Sequence, residues 1–150
     1  MPHDDDDEAP RRPGAVPKSV GAYPSARRAG PLLFLSGMGP RHPDTDEVPG
    51  QRLNAHGQHE AFDFEAQARQ VFANVRAALE ANGARWEQLV DVTVFLTDIE
   101  RDFVTFNRLY AEAFGEVRPA RTTVGIDSLP RPICVELKCV AYLGEPSGGR

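Results

Sequence analysis

Between residues 63 and 83 the chain carries Phe64, Ala68, Val71, Phe72, Val75, Ala78 and Leu79 at three- and four-residue spacing, and a helix gathers such positions onto one face. Asp63 stands where a side-chain cap is needed, and Gly83 where a left-handed stop is needed. A helix with one apolar face must lay it on a second layer. The next segment supplies one: Val90 to Leu96 is short and rich in β-branched residues, the pattern of a strand. Thr97 or Asp98 then caps a second helix with Phe103, Phe106, Tyr110, Ala113 and Phe114 on one side and Gly115 at its end.

The remaining apolar segments read as strands. Ala26 to Arg28, the turn Ala29-Gly30-Pro31 and Leu32 to Ser36 form a β-hairpin, and Arg121 to Ile126 and Ile133 to Tyr142 are the last two strands. From Met38 to Phe62 the chain is polar and rich in Pro, Gly, Asp and His without a persistent period, so it forms a long loop or a loose hairpin extension. The order ββαβαββ predicts an α+β fold with one sheet. Crossovers of one hand place both helices on the same face. The other face then exposes apolar side chains, and self-association is the simplest way to cover it. A homo-oligomer with sites at subunit junctions is the expectation.

With 150 residues and 41% hydrophobic content the chain has material for one ordinary core. Residues 1–17 combine the acid run Asp4 to Glu8 with four prolines and few large apolar side chains, and are expected to be disordered. One domain is expected over 18–144 and a frayed end over 145–150. The net charge of −5 argues against a general nucleic-acid binder. No apolar run is long enough to span a bilayer and the acidic start is unlike a targeting signal, so a cytoplasmic location is expected. Cys134 and Cys139, at odd spacing in one strand, are read as buried and reduced on opposite faces.

Two charges stand out in these strands. Alternation puts Arg121, Thr123 and Gly125 on one face, a guanidinium fork beside a hydroxyl and a residue that lets a ligand approach the backbone. Glu136 interrupts the last strand, on the face it shares with Cys134 and Lys138. Two readings are open on residue chemistry alone. Arg121 either pairs with Glu136 or Asp127 as a plain ion pair, or holds an anionic substrate with Glu136 handling water in a partly dry cleft. His56 and His59 form an H-x-x-H pair in the polar loop, with His42 upstream, but no helix fixes their geometry and solvated loop histidines are the expectation. Phosphate-binding glycine loops and a serine-nucleophile elbow are absent.

Taken together, Arg118-Pro-Ala-Arg-Thr-Thr-Val124, Leu129-Pro130, Val135-Glu136, Leu32-Leu-Phe-Leu-Ser-Gly37 and the helix from Asp63 to Val75 resemble the Rid family of enamine and imine deaminases, over residues 23–142. The resemblance implies a chorismate-mutase-like fold, a homotrimer with a barrel-like core, and cofactor-free sites between subunits. It places the family's carboxylate-binding arginine on Arg121 and its glutamate beside the catalytic water on Glu136. It also places the N-terminal tyrosine on Tyr23, the strand-ending glycine on Gly37 and the asparagine of the second helix on Asn107. Thr123 replaces the cysteine of many members, which argues against thiol chemistry. The long loop and the pattern Ser36-Gly-x-x-x-Arg-x-Pro-Asp44 look more like the 2-aminomuconate deaminase branch, whose dicarboxylate substrate needs a second cation, for which Arg41 is the candidate. The alternative is a non-catalytic small-molecule- or protein-binding trimer of the same fold.

Overall fold

The structure, a computed structural model, describes residues 15–144; the expectations for the acidic run and for residues 145–150 lie outside the described residues. Strands β1 (Ala26–Ala29), β2 (Leu32–Leu35), β5 (Leu89–Leu96), β6 (Ala120–Gly125) and β7 (Val135–Tyr142) form one mixed sheet in the order β1-β2-β7-β5-β6. Helices α1 (Phe64–Ala81) and α2 (Ile99–Phe114) pack on it. Because β7 is antiparallel to both β2 and β5, those two run parallel, as do β5 and β6. Each helix is thus a crossover between parallel strands, and both crossovers step the same way across the sheet. Right-handedness therefore sends them to one face.

Local chemistry accounts for the element ends. Asp63 Oδ1 accepts from Ala66 N at 3.0 Å at the start of α1. Gly83, at φ +74°, turns the chain so that Ala84 N reaches Leu79 O at 2.8 Å. Asp98 caps α2 by accepting from Arg101 N at 3.1 Å. Gly115 ends that helix in a right-handed conformation, and the left-handed position falls instead on Arg118 (φ +51°), whose N–H bonds Phe114 O at 2.9 Å.

The polar stretch 38–62 is a hairpin extension rather than an open loop. A second two-stranded sheet pairs β3 (Gln51–Leu53) with β4 (His59–Phe62). Asn54 Oδ1 accepts from His56 N at 2.9 Å and Gln58 N at 3.0 Å to close its turn.

The core lies between helices and sheet. Leu33, Leu35, Val92, Val94, Leu96, Leu137 and Cys139 of the sheet meet Val71, Val75, Leu79, Phe106 and Phe114 of the helices. Burying an aromatic such as Phe106 or Phe114 stabilises by about 1.5–3 kcal/mol. The opposite sheet face is bare and carries Phe34, 38% exposed, and Tyr142, 45% exposed. Both cysteines are free and buried, and burial pushes each thiol up to about 12.

Asn74 of α1 is 1% exposed, and its Nδ2 donates to Gly39 O at 2.9 Å and Arg41 O at 2.8 Å, fixing the chain that leaves β2. Asn74→Ala leaves two carbonyls without that donor and is expected to destabilise the fold by about 2–4 kcal/mol, read from chemical denaturation.

Candidate active site

Arg121 starts on edge strand β6, directly beside Val92 of β5. Val92 is fully buried under the helices, so Arg121, Thr123 and Gly125 face the helix side. There the Arg121 guanidinium donates to Thr123 Oγ1 at 2.8 Å and to Asn107 Oδ1 of α2 at 2.6 Å. Aromatic rings of α2 surround the rest of it: its Cζ lies 4.6 Å from the Tyr110 ring centre, 5.2 Å from Phe106 and 5.8 Å from Phe103. Rings attract a cation without neutralising it. Among the described residues no carboxylate pairs with this guanidinium, and burial lowers its pKa, opposed only in part by the Tyr110 hydroxyl. The ion-pair reading of Arg121 is thereby excluded within one protomer. What remains is a half-buried cation with hydrogen-bonding capacity to spare.

Glu136 lies opposite Phe95 of β5, which itself neighbours Val124. All three point to the bare face, away from Arg121. Burial raises the Glu136 pKa, with no charged partner contributing. After β2 the chain continues alongside β7, with Met38 N donating to Leu137 O at 2.8 Å and Leu137 N to Met38 O at 3.0 Å. This contact brings Gly37 against the carboxylate. A Cβ added at Gly37 would lie 2.8 Å from Glu136 Oε2, so glycine is what lets the two approach. Gly37, Tyr23, Ser36 and Arg41 share one narrow cleft.

The predicted site residues thus fall into two groups. Arg121, Thr123 and Asn107 sit together on the helix side; Glu136 lies on the other face with Gly37 against it, and Gly37 also lines the cleft that holds Tyr23 and Arg41. Within one protomer the sheet separates Arg121 from Glu136. Cys134, placed by alternation on the Glu136 face, precedes β7 and turns to the helix side, where its Sγ donates to Gln67 Oε1 at 2.9 Å. The Arg41 guanidinium is bound to Asp46 and to the Lys18 carbonyl. Among the described residues no three His, Cys, Asp or Glu side chains cluster as metal ligands, and His42 and His56 are loop residues. Sequence reasoning missed the aromatic cradle, having assigned Phe106 and Tyr110 to the helix core. The spacing Phe103, Phe106, Asn107, Tyr110 on one side of α2 was the available signal.

The arrangement offers a cation for a carboxylate and, on a separate surface, a carboxyl group poised to take a proton. Known proteins are similar to this chain in sequence and fold. The family profile described as endoribonuclease L-PSP matches residues 14–143. A RutC family protein of Pyrococcus horikoshii is 39% identical over 127 residues, covering 85% of this chain and 91% of that protein. Reactive Intermediate Deaminase A, chloroplastic, of Arabidopsis thaliana is 34% identical over 128 residues, 85% of this chain and 62% of that one. The crystal structure of the YjgF gene product from E. coli superposes with a TM-score of 0.73 at 33% identity, covering 87% and 94% of the two chains. That of yeast Mmf1 gives 0.74 at 30% identity over 91% and 98%. The chain belongs to the endoribonuclease L-PSP family, also called RutC or Rid, some of whose members are named reactive intermediate deaminases.

Proposed function

We propose that this protein hydrolyses enamine or imine carboxylates to keto acids and ammonia, as a homotrimer whose sites lie between protomers. The observation that carries the reading is Arg121, a half-buried guanidinium with a hydroxyl and an amide beside it and no carboxylate of its own. Such a group fits an α-carboxylate through two parallel hydrogen bonds. Glu136 is the second uncompensated group, on the bare face that assembly would cover. Assembly that sets the β6 edge of one protomer against the bare face of the next brings Arg121, Thr123 and Asn107 of the first toward Gly37, Glu136 and Tyr23 of the second. Each lone group then gains a function at the junction.

In this reading Arg121 fixes the carboxylate next to the C=N carbon, holding the imine tautomer in place. Water beside Glu136 gives up a proton to the carboxylate and attacks that carbon, forming the C–O bond as the C=N π electrons move to nitrogen. The nitrogen takes that proton back from Glu136 to give the carbinolamine; its hydroxyl proton then passes to the nitrogen through Glu136 or solvent as the C–N bond breaks and C=O forms, and a keto acid and ammonia leave. One water is consumed for each ammonia released. Thr123 supplies a hydroxyl where other members carry a thiol, so no covalent intermediate on sulfur is involved. Within the family the sequence pattern after Gly37 favours 2-aminomuconate, a dicarboxylate enamine, as substrate.

Ammonia release from 2-aminomuconate and from a panel of 2-imino acids, with and without a chelator, tests the reading. A rate above spontaneous hydrolysis that persists with chelator is expected. Binding of the keto acids by calorimetry with no accelerated release would instead assign a non-catalytic binding role. Gly37→Ala, which pushes a methyl into the space of Glu136 Oε2, is expected to lower kcat by about tenfold to a hundredfold with little change in melting temperature.

A further inference from the structure

The residue that could hold a second carboxylate is not Arg41. Its side chain is only 15% exposed and its guanidinium is committed to Asp46 Oδ1 and the Lys18 carbonyl. The other oxygen of the same aspartate, however, accepts from Arg131 Nη1 at 3.2 Å. One carboxylate therefore joins two guanidiniums, and the group of three carries a surplus positive charge. The hydrogen bond from Arg41, with the charges of both arginines, holds the Asp46 pKa below the ordinary carboxylate range, so it stays ionised and keeps both in place. Arg131 is the more open of the two, at 41% exposure, and among the described residues its Nη2 and Nε have no acceptor.

Its position is set by the chain around it. Pro130 and Pro132 flank it and restrict the backbone. Gln51 Nε2 of the hairpin extension donates to Pro132 O at 3.2 Å, and Ile133 N to Arg131 O at 2.8 Å. A hollow of about 420 Å³ opens beside it, with Lys18, Arg41 and Arg131 as cations against Asp44 and Asp46. Ser19 and Arg41 line both this hollow and the narrow cleft at Gly37 and Tyr23. A ligand seated at Gly37 with a chain long enough to pass Ser19 and Arg41 meets Arg131 next.

We propose that Arg131, oriented by Asp46, is the specificity residue that selects substrates bearing a second, distal carboxylate; this rests on the deaminase reading for the reaction but not for the binding. The full-length wild type and Arg131→Ala are compared in two ways. In the first, imines are formed in situ from L-glutamate and L-leucine by amino-acid oxidases. Arg131→Ala is expected to raise KM for the glutamate-derived imine about tenfold while leaving kcat and the leucine-derived imine unchanged, with Arg131→Lys intermediate. In the second, 2-oxoglutarate and 2-oxo-4-methylpentanoate are titrated by calorimetry. The wild type is expected to prefer the dicarboxylate and the variant to lose that preference. No preference in the wild type, or one that survives in Arg131→Ala, overturns the proposal. A wild type that binds selectively yet hydrolyses neither imine supports the subsite and sinks the deaminase reading alone.

Discussion

Arg121→Ala is expected to lower kcat/KM for imine hydrolysis by roughly 30-fold to several thousand-fold, corresponding to about 2–5 kcal/mol for removing one partner of a dry, hydrogen-bonded charge pair. The fold should survive. In the free protomer the guanidinium has no carboxylate to lose, and burial disfavours its charge, so the substitution removes a desolvation cost together with the bonds to Thr123 and Asn107. Arg121→Lys keeps the charge but not the planar fork, and should recover only part of the rate. Steady-state kinetics with a melting curve for each variant separates the outcomes. A variant that retains full turnover removes Arg121 from the site; one that loses activity only by unfolding makes it structural.

Much of this fold can be read from periodicity. The apolar stripe from Phe64 to Leu79 and the cap Asp63 mark α1 because both are local properties of the chain. Alternation likewise puts Arg121 and Thr123 on one face of β6. The hairpin of Gln51–Leu53 and His59–Phe62 is legible only as a long loop or loose extension, because strands of three and four residues with little apolar alternation leave almost no signature. The separation of Arg121 from Glu136 was not legible at all. Alternation gives each strand two faces but does not say which face of one strand continues which face of another. That depends on the sheet order, here with β7 inserted between β2 and β5. The apolar side of β6, Thr122 and Val124, would be expected to seek the helices; it faces the bare side, and the polar side tucks beside α2 at the sheet edge. The same limit hid Asp46 and Arg131, 85 positions apart in sequence and joined only by loop geometry.

Glu136→Gln is expected to slow hydrolysis by about 10²–10⁴-fold if the carboxylate takes the proton from water. Its pH behaviour distinguishes that role from packing. The Glu136 pKa is raised above the ordinary 4.5 by burial, so the wild-type rate should fall on the acid side at a pH above that value, and the Gln variant should lose this limb. Stability runs the other way. A carboxyl whose folded pKa is raised stabilises the fold while protonated, and this contribution is lost as pH rises through the folded value. At neutral pH the free protomer of the Gln variant should therefore melt no lower than the wild type while turning over far more slowly. Co-expression of Arg121→Ala with Glu136→Gln then tests where the site is. If each site takes Arg121 from one protomer and Glu136 from its neighbour, every mixed trimer rebuilds one intact site, and up to about a third of the wild-type rate returns to those assemblies. If both residues act from the same protomer, every site in every mixture lacks one of them and no activity returns. The sheet that separates Arg121 from Glu136 in a single chain favours the first result.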